Sequence, residues 1–305
     1  MAYSNSIIFG PIPSRRFGIS LGVDLSPSKK QCNFDCLYCE LEGAKTVAKM
    51  DEYPSVKDVI AEIKYSFDKH PKIDVITLTA NGEPTLYPRL NELVDEINKI
   101  KGKTKTLILS NGSTIYKEET FNTLLKIDTV KLSLDCISEK CFKKLDRVDD
   151  SIDCSKIVDG MIAFRQLHKK QLITETLFVK TLNDRIGEYG KIYEALKLIK
   201  PNRVDIGTID RPPAYDVQPV SYQTLLDIAA SFENLPVTIA HRDKNITKEE
   251  YSEDEILRLL LRRPLTQDDI ENIFTKNSQE ILKTLLESKK VYEVINNNVK
   301  FYKIS

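Results

Sequence analysis

Hydrophobic and polar positions alternate in two ways between about residue 55 and residue 240. Short apolar runs rich in β-branched residues have the length and composition of strands, and segments with apolar residues at steps of three and four separate them. The strand-like runs are 73–79, 104–110, 129–135, 173–179 and 203–209, with 19–25 before them and 237–240 after them. This alternation predicts six or seven β/α units in a parallel sheet, open or closed towards a barrel.

The segments between these runs predict helices. Ser55 and Asp58 form an S-x-x-D capping box at the start of the first helix, and Pro88 stands in the first turn of the second. Further helices are predicted at 117–126, 155–168, 186–199 and 221–233. The predicted fold class is therefore α/β.

The pattern changes after about residue 245. SEDEILRLLLRR, LTQDDIENIF and NSQEILKTLLES predict three short helices, and KVYEVI and VKFYKI predict two strands joined by an Asn-rich turn. Three helices and a β-hairpin match a small winged-helix-like domain, so we predict two domains, 1–245 and 246–305. From Ser252 to Ser305 there are nine basic and nine acidic residues, without the basic footprint of a nucleic-acid reader. Nucleic-acid contact, protein docking and a structural role all stay open.

Composition excludes several classes of protein. Lys plus Arg equals Asp plus Glu at 45 each, so bulk charge gives no argument for binding nucleic acid or a membrane surface. The N-terminus lacks a secretory signal, and no run approaches the roughly 20 apolar residues that cross a bilayer. We therefore expect a soluble, cytoplasmic protein without membrane contact. In that reducing compartment Cys136, Cys141 and Cys154 are expected to be free thiols, packed or at the surface.

Three further cysteines, Cys32, Cys36 and Cys39, fall within eight positions in the loop after the first predicted strand. A structural zinc site needs four ligands, but there is no second cysteine pair, and His70, His168 and His241 lie far along the chain. A thioredoxin-like pair would leave Cys32 unexplained. Three thiolates suit a 4Fe–4S cluster, which normally takes four cysteines and would here keep one iron open for a ligand.

Other polar motifs follow neighbouring strands. NGEPT (81–85) follows the second predicted strand, SNGS (110–113) the third, and the Asp of SLDC ends the fourth. The carboxyl ends of parallel strands meet at one edge of a sheet or barrel, so these motifs and the cysteine loop are expected to form one site.

The cysteine motif is C-x3-C-x-aromatic-C, with Tyr38 in the aromatic position, and on it the sequence resembles the radical S-adenosylmethionine (radical SAM) superfamily. The resemblance implies a partial (β/α)6 TIM-like barrel and a 4Fe–4S cluster whose open iron is chelated by SAM. Reductive cleavage of SAM would then give a 5'-deoxyadenosyl radical that abstracts hydrogen from a substrate.

The resemblance also implies roles for particular residues. Cys32, Cys36 and Cys39 would bind the cluster, and Tyr38 would lie beside the adenine of SAM. NGEPT looks like the family's G-G-E-P segment, so Gly82 and Glu83 would lie at the methionine ammonium. The positions matching contacts to the carboxylate or ribose of SAM are Ser110, Asn111, Ser133 and Asp135, of which Asp135 could instead cap the following helix.

Two arginine-containing segments lie outside this machinery. GPIPSRRFG carries Arg15 and Arg16, and GTIDRPPAYD carries Arg211; with the cysteine loop, the first segment resembles the branch related to wyosine-forming, tRNA-modifying radical SAM proteins. If function followed, Arg15, Arg16 and Arg211 would face a phosphate or carboxylate; the alternative is a surface pair at the bottom of the barrel for Arg15 and Arg16. The chain departs from that branch because no cysteine precedes Cys32.

The expected partners follow from the same resemblance. A flavodoxin-like donor domain is absent from the sequence, so the electron donor is expected to be a separate protein of the flavodoxin or ferredoxin type. We predict a radical SAM enzyme acting on a macromolecule, RNA or a peptide, with the C-terminal segment as docking module. The alternatives are the same chemistry on a small metabolite and a non-catalytic metal-binding winged-helix regulator, although a regulator would not need the SAM loops.

Overall fold

The structure is a computed structural model, and it describes residues 6–14, 16–239, 248–262, 264–296 and 299–304. Arg15, His241 and the predicted domain boundary at residue 245 lie outside these ranges. The main sheet has eight strands: β1 (Ile8–Ser14), β2 (Gly18–Asp24), β3 (Val75–Thr79), β4 (Lys105–Ser110), β5 (Thr129–Ser133), β6 (Gln171–Phe178), β7 (Arg203–Thr208) and β8 (Val237–Ile239).

Strand order in this sheet follows the chain from β1 to β8, and every neighbouring pair from β2 to β8 is parallel. This confirms the α/β fold and agrees with a partial TIM-like barrel. The edge strand β1, antiparallel to β2, was not predicted. Pro11 and Pro13 cannot donate to a strand ladder, which an edge strand tolerates, and the register shifts between Phe9 and Ile12.

In the described residues seven α-helices connect these strands: α1 (Val56–Lys69), α2 (Leu90–Ile100), α3 (Glu118–Leu124), α4 (Glu139–Cys141), α5 (Ser155–Leu167), α6 (Ile186–Ile199) and α7 (Tyr222–Ser231). The Ser55 side chain accepts the backbone N–H of Asp58 and caps α1, as predicted. Alternate strand residues such as Ile76, Ile108 and Val130 pack with the apolar faces of the helices in one large core. The short α4 was not predicted and continues into a π-helical turn, Phe142–Asp146.

The C-terminal segment has its own elements: α8 (Glu253–Arg262), β9 (Leu265–Thr266), α9 (Gln267–Ile273), α10 (Lys276–Glu287), β10 (Val291–Asn296) and β11 (Val299–Ile304). Its three strands form an antiparallel sheet in the order β10, β11, β9. The prediction that a helix begins at Leu265 was wrong, because Leu265 and Thr266 pair with β11 and Thr266 then caps α9.

This segment packs around a second hydrophobic core that includes Ile256, Leu260 and Phe274. Ile12 of β1 packs against that core, and the Tyr251 hydroxyl donates to the Pro11 carbonyl at 3.4 Å. The C-terminal elements therefore lie beside the edge strand of the main sheet. Within the described ranges, none of the helices combines the length and apolar character that crossing a bilayer requires.

Candidate functional site

The cysteine loop follows β2 and is attached on two sides. On one side the Gln31 N–H donates to the Asn81 carbonyl at 2.8 Å, and the Glu83 N–H donates to the Gln31 carbonyl at 3.0 Å. On the other side the N–H groups of Asp35 and Leu37 donate to residues 146 and 145. These backbone bonds fix the loop around Cys32 and Cys36 without using either thiol.

Gly82 makes the first attachment possible. Its φ is +134°, and a Cβ at this position would lie 1.9 Å from the Gln31 carbonyl oxygen. Because glycine has no Cβ, the backbone at Gly82 can approach the backbone of Gln31, the residue before Cys32.

Glu83 is buried and joins two strand ends. Its carboxylate accepts from the Thr85 N–H at 3.0 Å, the Thr85 hydroxyl at 2.7 Å, the Ser110 hydroxyl at 2.7 Å and the Asn111 N–H at 2.7 Å. Burial raises the pKa of Glu83, while these donors act in the opposite direction. Glu83 therefore orders the loops after β3 and β4, a task that the motif alone does not reveal.

Asn111 extends this network to the cysteine loop. Its amide donates to Asn33 Oδ1 at 2.9 Å and lies 3.8 Å from Cys32 Sγ, while its Oδ1 accepts the Ser113 N–H. Cys32 Sγ also receives the Phe34 N–H at 3.4 Å. Two N–H groups are thus directed at the sulfur of Cys32.

All three loop cysteines are free thiols, each partly exposed. Burial raises the pKa of Cys32 to about 12, with a further contribution from the Glu83 carboxylate. Burial also raises the pKa of Cys36, together with Asp146, and that of Cys39, which Lys30 opposes. A metal bound here would replace the thiol protons. Three soft thiol donors with N–H groups directed at one sulfur fit an iron–sulfur cluster.

Tyr38 is held by the end of the fifth strand. Its hydroxyl donates to Asp135 Oδ2 at 2.5 Å, and Asp135 Oδ1 accepts the Leu177 N–H at 2.6 Å. Burial raises the pKa of Asp135 to about 7. Ser133, two residues earlier, ends β5. The structure thus brings the cysteine loop together with Gly82, Glu83, Ser110, Asn111 and Asp135.

The prediction for Cys136 and Cys141 was wrong. They form a disulfide with their Cα atoms 5.4 Å apart, whereas Cys154 is free and partly buried. The chain turns after β5 and brings the two sulfurs together. The prediction of free thiols rested on the reducing compartment and did not consider this proximity.

His168, one of the three histidines considered as zinc ligands, is buried, and its ring nitrogen lies against the Ile127 carbonyl.

Two of the three arginines predicted to face a substrate, Arg16 and Arg211, lie within the described residues, and they are at different places in the fold. Arg16 precedes β2, at the opposite end of that strand from the cysteine loop, and pairs with the buried Asp205. Arg211 Nη1 donates to Glu40 Oε2 at 2.7 Å, beside Cys39. Burial would lower the pKa of Arg211, but the carboxylates of Glu40 and Asp210 outweigh it and hold that pKa above its ordinary value.

Sequence reasoning missed a polar network inside the cysteine loop. Asp35 accepts from the Tyr215 hydroxyl at 2.6 Å and the Ala44 N–H at 3.2 Å, and it pairs with Lys30 and Arg147 at 3.3 Å. The sequence did carry a signal for this network: Asp35 is an acidic residue between the predicted ligands Cys32 and Cys36. Metal ligands are usually held by hydrogen bonds from residues around them.

A family model for the radical SAM superfamily matches residues 27–207, which is more than half of the chain and includes the cysteine loop. The chain belongs to the radical SAM superfamily. It is therefore a radical SAM enzyme rather than a non-catalytic regulator, and the superfamily implies a 4Fe–4S cluster, SAM and an electron donor.

The chain is also similar to individual proteins. It is 42% identical to a UPF0026 protein of Helicobacter pylori over 97% of each chain, and 29% identical to the UPF0026 protein MJ1312 of Methanocaldococcus jannaschii over 97% of this chain and 95% of that one. The structure of Streptococcus suis SuiB bound to S-adenosylmethionine superposes with a TM-score of 0.54 and 18% identity, over 70% of this chain and 49% of that one. That likeness concerns the fold. The kinship with wyosine-forming proteins stays a prediction.

Proposed function

We propose that Cys32, Cys36 and Cys39 hold the 4Fe–4S cluster of this radical SAM enzyme. When bound, the cluster would supply the electron that cleaves SAM to methionine and a 5'-deoxyadenosyl radical. The observation that carries the proposal is the environment of the three thiols: one loop, attached on both sides by backbone bonds, with N–H groups directed at Cys32 Sγ. Hydrogen bonds to cluster sulfurs and burial are the means by which a protein sets the potential.

The SAM site lies in this proposal at the carboxyl ends of β2 to β5. The residues we assign to it are Tyr38, Gly82, Glu83, Ser110, Asn111, Ser133 and Asp135. Because Glu83 already accepts four hydrogen bonds, its contribution is to hold the loop backbones that meet the methionine part of SAM. Asp135 accepts the Tyr38 hydroxyl and so orients the ring beside the adenine.

For the substrate we propose RNA, in a tRNA-modifying reaction, with the C-terminal segment as docking module. The order helix, strand, helix, helix, strand, strand from α8 to β11 is that of a winged helix, in which α10 would be the recognition helix. The charges of this segment balance overall, but the acidic and basic residues are concentrated in different halves. Residues 249–271 carry eight acidic and three basic side chains, whereas residues 272–304 carry six lysines and three glutamates.

The lysines on α10 and after it support this choice. Lys276 and Lys283 of α10 are exposed, as are Lys289 and Lys290 just beyond it. Lys290 pairs with Glu253 at 2.6 Å. The exposed Lys276, Lys283 and Lys289 are the candidates for phosphate contacts. Arg211, close to the cysteine loop, would then meet a phosphate or carboxylate of the substrate.

An RNA-binding titration tests this. Replacing Lys283 and Lys289 by Glu should weaken binding of total tRNA by about tenfold or more at low salt and reduce the salt slope by about two. The variant Lys57→Glu/Lys64→Glu, with the same change of charge on α1, is the control. Nucleosides in cells with and without the gene should differ in one modification. Identical nucleosides and unchanged tRNA binding would favour the alternative, a small metabolite as substrate.

A further inference from the structure

A turn of the main domain covers the cysteine loop from outside. This segment, the 139–147 turn, consists of α4, the π-helical residues 142–146 and Arg147. The Leu37 N–H donates to the Leu145 carbonyl at 2.9 Å, and the Asp35 N–H donates to the Asp146 carbonyl at 3.0 Å. Cys36 lies between the two bonded loop residues, so the turn touches the loop on both sides of that cysteine.

In this turn the residues that bond to the cysteine loop are directly adjacent to residues exposed to solvent. Leu145 and Asp146 are buried, and the Asp146 carboxylate lies close enough to Cys36 to raise the pKa of its thiol, in addition to the effect of burial. The flanking residues Lys144 and Arg147 are exposed. Electron transfer weakens steeply with distance, so this surface offers a short approach to a cluster bound at Cys36.

The exposed side of the turn is basic. Lys140, Lys143, Lys144 and Arg147 are exposed, against one exposed acidic residue, Glu139, and the lysines line a shallow depression of about 480 Å³. Lys143 pairs with Glu139 at 2.5 Å, whereas no ion pair to another described residue is found for Lys140 or Lys144. The chain as a whole has a formal net charge of zero, so this positive surface is a local feature.

The turn is also held rigidly. The Cys136–Cys141 disulfide joins residue 141 of the turn to the segment that precedes the turn, where the Glu188 carboxylate accepts the N–H groups of Ile137 at 2.7 Å and Ser138 at 2.8 Å. Arg147 ends the turn in a left-handed conformation and lies over the Tyr215 ring. A preorganised surface loses little conformational entropy when a partner binds.

We propose that the 139–147 turn is the docking site of the external electron donor, an acidic one-electron carrier protein of the flavodoxin or ferredoxin class. The proposal rests on the proposed function, since it requires a cluster at Cys36. One electron passes from the carrier to the protein: a flavodoxin is oxidised from the anionic hydroquinone to the neutral semiquinone, the cluster is reduced from the 2+ to the 1+ state, and no proton moves. Such encounters have small, charge-steered interfaces, and a shallow depression lined by Lys140, Lys143, Lys144 and Glu139 fits that description better than an apolar face does.

The test uses the cluster-loaded protein and a photoreduced bacterial flavodoxin in an anaerobic stopped-flow experiment. The variant Lys140→Glu/Lys144→Glu should be reduced about tenfold or more slowly than wild type at low ionic strength, and the difference should shrink as salt screens the charges. The neutral variant Lys140→Gln/Lys144→Gln should also be reduced more slowly than wild type, but by a smaller factor. The control Lys57→Glu/Lys64→Glu makes the same change of net charge on exposed α1 positions and should stay within about twofold of wild type.

A binding measurement gives a readout without turnover. Isotope-labelled oxidised flavodoxin, titrated with wild-type protein carrying the oxidised cluster, should show NMR shifts around its flavin that the Lys140→Glu/Lys144→Glu variant weakens and the control does not. Equal reduction rates for wild type and this variant, or equal slowing in both charge-reversed variants, would reject the site.

Dithionite separates the two proposals. If the variant cleaves SAM normally with dithionite but slowly with flavodoxin, both the function and the docking site are supported. If dithionite-treated wild type contains no cluster or leaves SAM intact, the proposed function fails and the docking site fails with it.

Discussion

Replacement of Gly82 by Ala tests whether the loop after β3 fixes the cysteine loop. The new Cβ would lie 1.9 Å from the Gln31 carbonyl oxygen and 2.4 Å from its carbon, and both are backbone atoms that cannot rotate away. The loop must therefore separate from Gln31, breaking the bonds from Gln31 N–H to Asn81 and from Glu83 N–H to Gln31.

The magnitude follows from two contributions. A non-glycine residue at positive φ costs about 1–2 kcal/mol, and two lost backbone hydrogen bonds cost about 0.5–1.5 kcal/mol each, so the free energy of unfolding should fall by roughly 2–5 kcal/mol. Gly102→Ala is the matched control: its φ is also positive, at +56°, but no atom lies within 4 Å of the added Cβ. Only the first contribution, about 1–2 kcal/mol, applies to it.

Urea denaturation followed by circular dichroism gives the free energy of unfolding of both variants, and the two values can be compared if the m-values are equal. Gly82→Ala should be the less stable of the two and should also lose reconstituted iron, because Gln31 precedes Cys32. If Gly82→Ala were no less stable than Gly102→Ala, the close backbone approach would not be what fixes this loop.

Three further predictions follow from single contacts. Alkylation of cluster-free protein under denaturing, non-reducing conditions should label Cys32, Cys36, Cys39 and Cys154 but leave Cys136 and Cys141 unlabelled until a reductant is added, and labelling of all six beforehand would contradict the disulfide. Hydrogen bonds from Lys101, Thr106 and Lys170 outweigh burial and hold the pKa of Asp128 below its usual 3.8, so stability from this group is present above pH 3.8 and is lost as pH falls through the lower folded pKa. Asp128→Asn should therefore cost about 1–3 kcal/mol at pH 7 in urea titrations, with a gap to wild type that closes below about pH 4; a gap independent of pH would refute it. Tyr38→Phe removes the 2.5 Å bond to Asp135 and should weaken SAM binding by about tenfold, measured by calorimetry, with iron content unchanged; unaltered affinity would argue against the orienting role.

The parallel strands could be predicted because segments such as 104–110 and 129–135 have the length of strands and are rich in β-branched and other apolar residues. The edge strand β1 could not, since Gly10, Pro11 and Pro13 interrupt its pattern and only pairing with β2 makes it a strand. The 139–147 turn was missed for a related reason: a π-helical turn has no distinctive apolar period.

The candidate site divides in the same way. Local spacing identified the cysteine loop and the motifs at the strand ends, because each is a short contiguous pattern. The hydrogen bonds from Ser110 and Asn111 to Glu83, and from the Asn111 amide to Cys32 Sγ, depend on strand register, and they join residues 27 to 79 positions apart in the chain. Spacing in one sequence does not encode such contacts, and the same holds for the pairing of Arg16 with Asp205.

The most direct test of the account is anaerobic reconstitution of wild type and of the variant Cys32→Ala/Cys36→Ala/Cys39→Ala, with Cys154→Ala as control. Wild type and the control should bind about four irons and four sulfides per chain and form 5'-deoxyadenosine from SAM after reduction with dithionite, whereas the triple variant should do neither. A triple variant that kept iron and SAM cleavage, or a wild type that retained one zinc and no iron, would contradict it.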